Sequence, residues 1–350
     1  MFPSAAAGRT LSSISNRAAP AVVTFMLLTF TGCSHTEATA QAPPPQPPLT
    51  FIGEWGTRGS EPGQLSHPEW LSTDFAGNIF IADSGSGYIQ KFTASGRPLL
   101  AFNDRVPGDP FRVVVDSAAG IYVLGRNADS IFIFSPEGEA FRQYPLAPVK
   151  AHQRPVSLAV DDPGDIFVIV SVGAPSGERG VEHREIREYN ARGRYRKTLV
   201  AAYTAGETFV PASLAASSEG HLYVLDATST RVQKFTLDGD FVAAWNNPSP
   251  AEPAAGSQGA APVPLPTGAD GTSPVGVGIG VSSQYVFTPD SVRRGVLVWT
   301  LDGQPKFGDL LGSRLQVGGG RFQIAASFRG DFLVLDIDGS RVLRFHINNF

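Results

Sequence analysis

Three side chains stand at matching places in the chain and could share one ligand. Trp70, Arg112 and Gln323 each lie two residues after a marker, which is Pro68, Pro110 and Arg321 respectively. An aromatic ring, a cation and an amide supply a stacking platform and directed donors, the equipment of a binding pocket. Glu69, His67, Arg154 and Arg321 flank them, adding a carboxylate, an imidazole and two more cations. Covalent chemistry is harder to assemble. The chain has no Gly-x-Ser-x-Gly elbow and no phosphate-cradling loop. Its one cysteine, Cys33, excludes an intrachain disulfide and any Cys-based zinc cluster. Zinc needs three converging ligands with one position open. The positions directly after the prolines, Glu69, Phe111, Val156, Ala212 and Val275, contain no histidine. His35, His67, His152, His183, His221 and His346 share no common spacing, and His183 and His346 fall in a long loop and past a strand end on this reading. No catalytic residue and no metal ligand is therefore assigned.

The elements that must hold these residues repeat six times. Pro68, Pro110, Pro155, Pro211 and Pro274 each precede an apolar stretch. A second register is an aromatic closing a strand, at Phe92, Phe134, Tyr189, Phe235, Trp299 and Phe345. Four residues beyond each of the first five comes a glycine, Gly96, Gly138, Gly193, Gly239 and Gly303, with Asn349 in the sixth place. Glycine and asparagine are the residues that tolerate the positive φ of a tight turn. Short β-forming runs such as Ile79–Ala82 and Leu222–Leu225 complete the pattern. Four strands per unit, six times over, predict an all-β, six-bladed β-propeller, since a lone four-stranded blade cannot bury both faces. The sixth unit lacks its last strand, and Phe51–Trp55 matches the missing piece, so the N-terminal strand should close the last blade. Asp226…Arg231 and Asp336…Arg341, with Asp83…Tyr88 as a weaker copy, read as ties that pin a loop within each blade.

Gly63-Gln-Leu-Ser-His-Pro68, Asp74-Phe-Ala-Gly-Asn-Ile-Phe-Ile-Ala-Asp83 and Ile89-Gln-Lys-Phe92 together resemble an NHL repeat. The fourth and sixth units are close matches, and the third and fifth are degenerate. The resemblance covers essentially all of 51–350. It implies a ligand face built from the loops that enter each blade's first strand and those joining its second and third strands. It also suggests where an enzyme of similar fold would keep its metal. NHL-like lyases bind zinc through histidines near inner-strand starts, and lactonase-like propellers hold one divalent ion with Glu, Asn and Asp. Glu69 could begin the second set, but the equivalent positions in other blades offer neither Asn nor Asp. A metal-dependent hydrolase or lyase is thus the alternative to a non-catalytic binding module, with one calcium or zinc ion as its open cofactor question. No cofactor is predicted for the binding module itself.

Length and composition agree with this organisation. The 350 residues are 42% hydrophobic and 17% charged, with 38 glycines and 28 prolines, enough for one large β domain with many turns. A net charge of −4 and no basic block disfavour nucleic acid as a partner. Arg9 and Arg17 precede an apolar run from Ala18 to Phe30, about 13 residues, short of the ~20 a spanning helix needs. The run ends at Phe30-Thr31-Gly32-Cys33, which resembles the lipobox of bacterial lipoproteins. The expected division is a signal peptide at 1–32, a lipid-anchored Pro-rich tether at 33–49 and the propeller at 50–350. The bilayer would be one partner, through Cys33, and a protein, peptide or small ligand the other. The chain is expected to be monomeric and to sit in the cell envelope, on the outer membrane, facing the periplasm or exterior. Two insertions, 172–185 and 246–273, should project from the ligand face.

Overall fold

The computed structural model describes residues 49–103, 106–126, 128–148, 153–173, 183–199, 209–226, 231–246, 278–290, 295–307, 321–327 and 330–348. The expected signal peptide, Cys33, and all but the last residue of the expected tether lie outside them, as do residues 247–273. Among the described residues the chain forms strands and turns with no helix. A first strand, β1 (Leu49–Trp55), precedes the regular units. Blade 1 is β2 (Pro68–Thr73), β3 (Ile79–Asp83), β4 (Tyr88–Phe92) and β5 (Pro98–Phe102). Blade 2 is β6 (Pro110–Val115), β7 (Ile121–Gly125), β8 (Ser130–Phe134) and β9 (Ala140–Pro145). Blade 3 is β10 (Gln153–Val160), β11 (Ile166–Val172), β12 (His183–Tyr189) and β13 (Tyr195–Leu199). Blade 4 is β14 (Pro211–Ala216), β15 (His221–Asp226), β16 (Arg231–Thr236) and β17 (Phe241–Asn246). Blade 5 is β18 (Gly280–Val281), β19 (Tyr285–Asp290), β20 (Gly295–Thr300) and β21 (Pro305–Phe307). Blade 6 has β22 (Phe322–Ala326), β23 (Asp331–Asp336) and β24 (Arg341–Ile347).

Six four-stranded antiparallel sheets result, and the sixth has the order β1-β24-β23-β22. The N-terminal strand therefore closes the last blade, pairing Phe51 with Phe345 and Trp55 with Val342. Stability comes from the seams between blades. Each of the six apolar clusters joins neighbouring blades. Leu71, Ile79 and Phe92 of blade 1 pack with Leu333, Leu335 and Val342 of blade 6, and Trp70 and Phe80 pack with Val113 and Val123 of blade 2. The second strands read as continuous apolar runs because both of their faces are covered; β3 and β7 are buried throughout.

Three features depart from what the sequence pattern implies. The insertion after β11 is narrower than 172–185, because Val172↔His183, Ser171↔Arg184 and Val170↔Glu185 prolong the β11–β12 hairpin. His183 thus begins a strand and is not a loop residue. His346 does not lie past a strand end either. Pairing with Thr50 on one side and Asp331 on the other extends β24 through it. Leu49, expected as the last tether residue, already belongs to β1.

Candidate functional site

The site begins with an irregularity repeated in four blades. Pro68 pairs with Asp83, but the next partner of the β3 ladder is Trp70 with Ala82, so Glu69 is an extra residue. The same shift follows Pro110, Pro155 and Pro211. Proline has no N–H to give the ladder, and a bulge beside it turns one side chain out of the sheet's alternation. In blade 1 that side chain is a carboxylate.

Glu69 gathers partners from two blades. Its Oε1 accepts a hydrogen bond from Ser84 Oγ at 2.6 Å and an ion-paired hydrogen bond from Arg126 Nη2. His67 Nδ1 lies 3.6 Å from the same oxygen and 3.0 Å from Ser84 Oγ. On its far side, His67 Nε2 lies 3.3 Å from Arg321 Nη2. A guanidinium only donates, so Nε2 must be the acceptor and the imidazole proton sits on Nδ1. Arg321 is itself held by Asp338, through Nε at 2.9 Å and Nη2 at 2.5 Å to Oδ1. A polar chain thus crosses blades 6, 1 and 2 in the order Asp338, Arg321, His67, Ser84, Glu69, Arg126.

Beneath it lies Arg112, only 7% exposed. Its guanidinium carbon lies 4.2 Å from the Trp70 ring centroid and 4.7 Å from that of Phe111. Nη1 donates to Phe111 O at 2.9 Å, while Nε is buried with no hydrogen-bond partner. Burial lowers the Arg112 pKa to about 10, Glu69 opposes that shift, and Arg126 and Arg184 add to it. Arg126 also lies over the Phe111 ring, 5.4 Å from its centroid.

Of the residues singled out from sequence, the structure gathers His67, Glu69, Trp70, Arg112 and Arg321. Gln323 faces a blade seam instead. It is 1% exposed, its Oε1 accepts from Leu71 N at 3.0 Å, and its Nε2 donates to Ile324 O at 2.6 Å. Arg154 is exposed and sits one blade along, on a rung with Ser171 and Arg184. Ser157 and Ser213, in the same row as Trp70, are fully buried. Sequence reasoning missed Ser84, Arg126 and Asp338. A signal for Arg126 existed: Gly125 pairs with Pro110 as Asp83 does with Pro68, so Gly125-Arg126 replaces Asp83-Ser84. Among the described residues no three His, Cys, Asp or Glu side chains converge as a metal ion would require.

No family model matches the chain, and no curated protein matches it. Solved structures do. The chain is similar to a streptogramin B lyase structure at 12% identity and a TM-score of 0.53, covering 86% of this chain and 98% of that one. It is also similar to a virginiamycin B lyase from Staphylococcus aureus at 9% identity and a TM-score of 0.55, covering 86% of this chain and 100% of that one. At such identities the likeness is one of fold, the six-bladed β-propeller.

Proposed function

We propose that the chain is an NHL-type propeller acting as a binding protein of the cell envelope, anchored through lipidated Cys33 on the outer membrane and facing the periplasm or exterior. The ligand, a protein segment, peptide or small molecule, docks on the face shared by blades 6, 1 and 2. One observation carries this reading: the Trp70–Arg112 stack lies beside a hydrogen-bonded chain of His67, Ser84, Glu69 and Arg126. An aromatic platform with a few convergent polar groups is how small-ligand sites are built. The test is a thermal-shift screen of the full chain in detergent against peptides and small molecules, repeated with Trp70→Ala combined with Arg112→Met. Hits should vanish in the double variant; hits that survive it would place the site elsewhere.

A lyase is the second reading, supported by the names of both structural neighbours and by the same polar chain. His67 and Glu69 share Ser84, so a proton held at His67 Nδ1 has a path to a carboxylate. Metal content of protein purified without chelator, with melting compared in calcium, zinc and EDTA, separates the two. One tightly held ion per chain, lost together with stability, favours the enzyme.

A further inference from the structure

The donors of Arg112 are unevenly used. The Trp70 and Phe111 rings lie against its guanidinium, so hydrogen bonds can leave only along the edge. Nη1 is occupied by Phe111 O. On the opposite edge, Nε is buried with no hydrogen-bond partner among the described residues. A buried donor left without a partner is costly, and such orphans in a folded protein call for a ligand, ion or water. The Nε–Nη2 edge is also the geometry that grips two oxygens of one planar anion at once. The surroundings point to the same class of ligand. Arg112 and Arg126 are two cations beside one carboxylate, Glu69, which Arg126 already pairs, and Arg184 acts on Arg112 as a further like charge.

Resting on the binding reading above, we infer that the ligand of this face carries a carboxylate or phosphate group, gripped by the Nε–Nη2 edge of Arg112 with Arg126 as the second cation. Trp70 and Phe111 hold the fork in place. Glu69 keeps Arg126 turned toward it, and no proton transfer is needed for capture.

The test uses the full chain in detergent with four probes at low ionic strength: N-acetylphenylalanine and phenyl phosphate as anions, and N-acetylphenylalaninamide and benzyl alcohol as neutral counterparts. At least one anion should raise the melting temperature and bind ten-fold or more tightly than its neutral counterpart, and the stronger of the two names the oxyanion. Added salt should weaken that binding, because the attraction is partly screened. Arg112→Gln should abolish the preference, and Arg112→Lys should lose most of it, since an ammonium is a point charge and not a fork. If Arg112→Gln fails to fold, Arg126→Gln on the half-exposed neighbour should still reduce anion affinity several-fold. Equal binding of anion and amide overturns the inference, as does full anion binding by Arg112→Lys. A neutral ligand that still depends on Trp70 would overturn the anion while leaving the binding reading intact.

Discussion

Gly96, in the turn between the third and fourth strands of blade 1, lies directly against the indole of Trp55 in the strand that closes blade 6. A Cβ added at Gly96 would sit 2.3 Å from Trp55 Cγ. The contact recurs around the ring, with Gly138 against Phe102, Gly193 against Tyr144, Gly239 against Leu199 and Gly303 against Trp245. In each case the turn glycine of one blade receives a large side chain from the outer strand of the blade before. The glycine register therefore serves two purposes: it turns the hairpin, and it makes room for the neighbouring blade. At Gly96 the same device fastens the junction that closes the ring.

Gly96→Ala should therefore cost about 3 kcal/mol of stability or more, combining positive-φ strain with overpacking against the indole. Gly220 provides the control, since its φ of +79° is similar to the +85° of Gly96 but no atom lies within 4 Å of an added Cβ. Gly220→Ala should cost only about 1–2 kcal/mol, the left-handed penalty alone. Urea denaturation of the two variants measures the difference. Equal costs would mean that the indole contact contributes nothing.

Gln323 gives a second expectation. It joins blade 6 to the Leu71 N–H of blade 1, and both groups are buried. Gln323→Leu should destabilise by about 1–3 kcal/mol, because the Leu71 donor is left without an acceptor. Gln323→Glu keeps that acceptor but turns an oxygen toward Ile324 O. Only the protonated acid can donate there, and burial favours the protonated form. The Glu variant should thus be closest to wild type near about pH 4–5 and weaken as pH rises. A pH-independent deficit would show that the Ile324 bond is not in use.

The fold was legible because propeller repeats place the same residue types at the same turns. Proline, aromatic and glycine registers each marked one strand boundary, and the odd number of strands left in the sixth unit pointed to Phe51–Trp55. The Asp registers were legible for the same reason. Asp336 pairs with Arg341 at 2.8 Å, and Asp226 accepts from Val210 N. The site was only half legible. Trp70 and Arg112 could be found by counting from their prolines, but Glu69 is aimed by a bulge, and a one-residue slip changes which way a strand residue faces. Gln323 occupies the row of Trp70 yet has no bulge before it, since Phe322↔Asp336 and Gln323↔Leu335 run in unbroken register. Ser84 and Asp338 come from loops, where no period predicts them, and Arg126 could be found only by aligning Gly125 with Asp83 across the two blades.

Asp83 carries a third prediction. It is fully buried, and its carboxylate accepts from the N–H groups of Ser66, His67, Gly85 and Ser86, the first two at 2.7 and 2.8 Å. These bonds fasten the segment bearing His67 and Glu69 to the loop bearing Ser84. Asp83→Ala should lose about 2–3 kcal/mol through orphaned donors. As a positioning residue it should also weaken ligand binding several-fold at temperatures where the variant is fully folded. A fall in melting temperature with unchanged affinity would limit Asp83 to a structural role.

Tyr122, Tyr189 and Tyr223 are buried, and burial raises all three phenols above their usual value of 10.0, Tyr189 to about 12. Their hydroxyls donate to Asp116, to Ala147 O and to Leu301 O, bonds that a phenolate cannot make. A raised folded-state pKa means the folded protein holds its proton more tightly than the unfolded chain. That contribution is complete below pH 10 and is lost as pH climbs through the folded value. Arg112 works in the opposite sense, because burial lowers its pKa to about 10 and its desolvation penalty is relieved above that point. With three phenols against one guanidinium, urea midpoints should be flat up to about pH 10 and then decline. Replacing the three tyrosines by phenylalanine should make the decline shallower, and Arg112→Gln should make it steeper. Absorbance at 295 nm supplies the check. In folded protein these three phenols should stay protonated until the unfolding transition, so a full tyrosine titration near pH 10 without unfolding would mean that water reaches them in the native state.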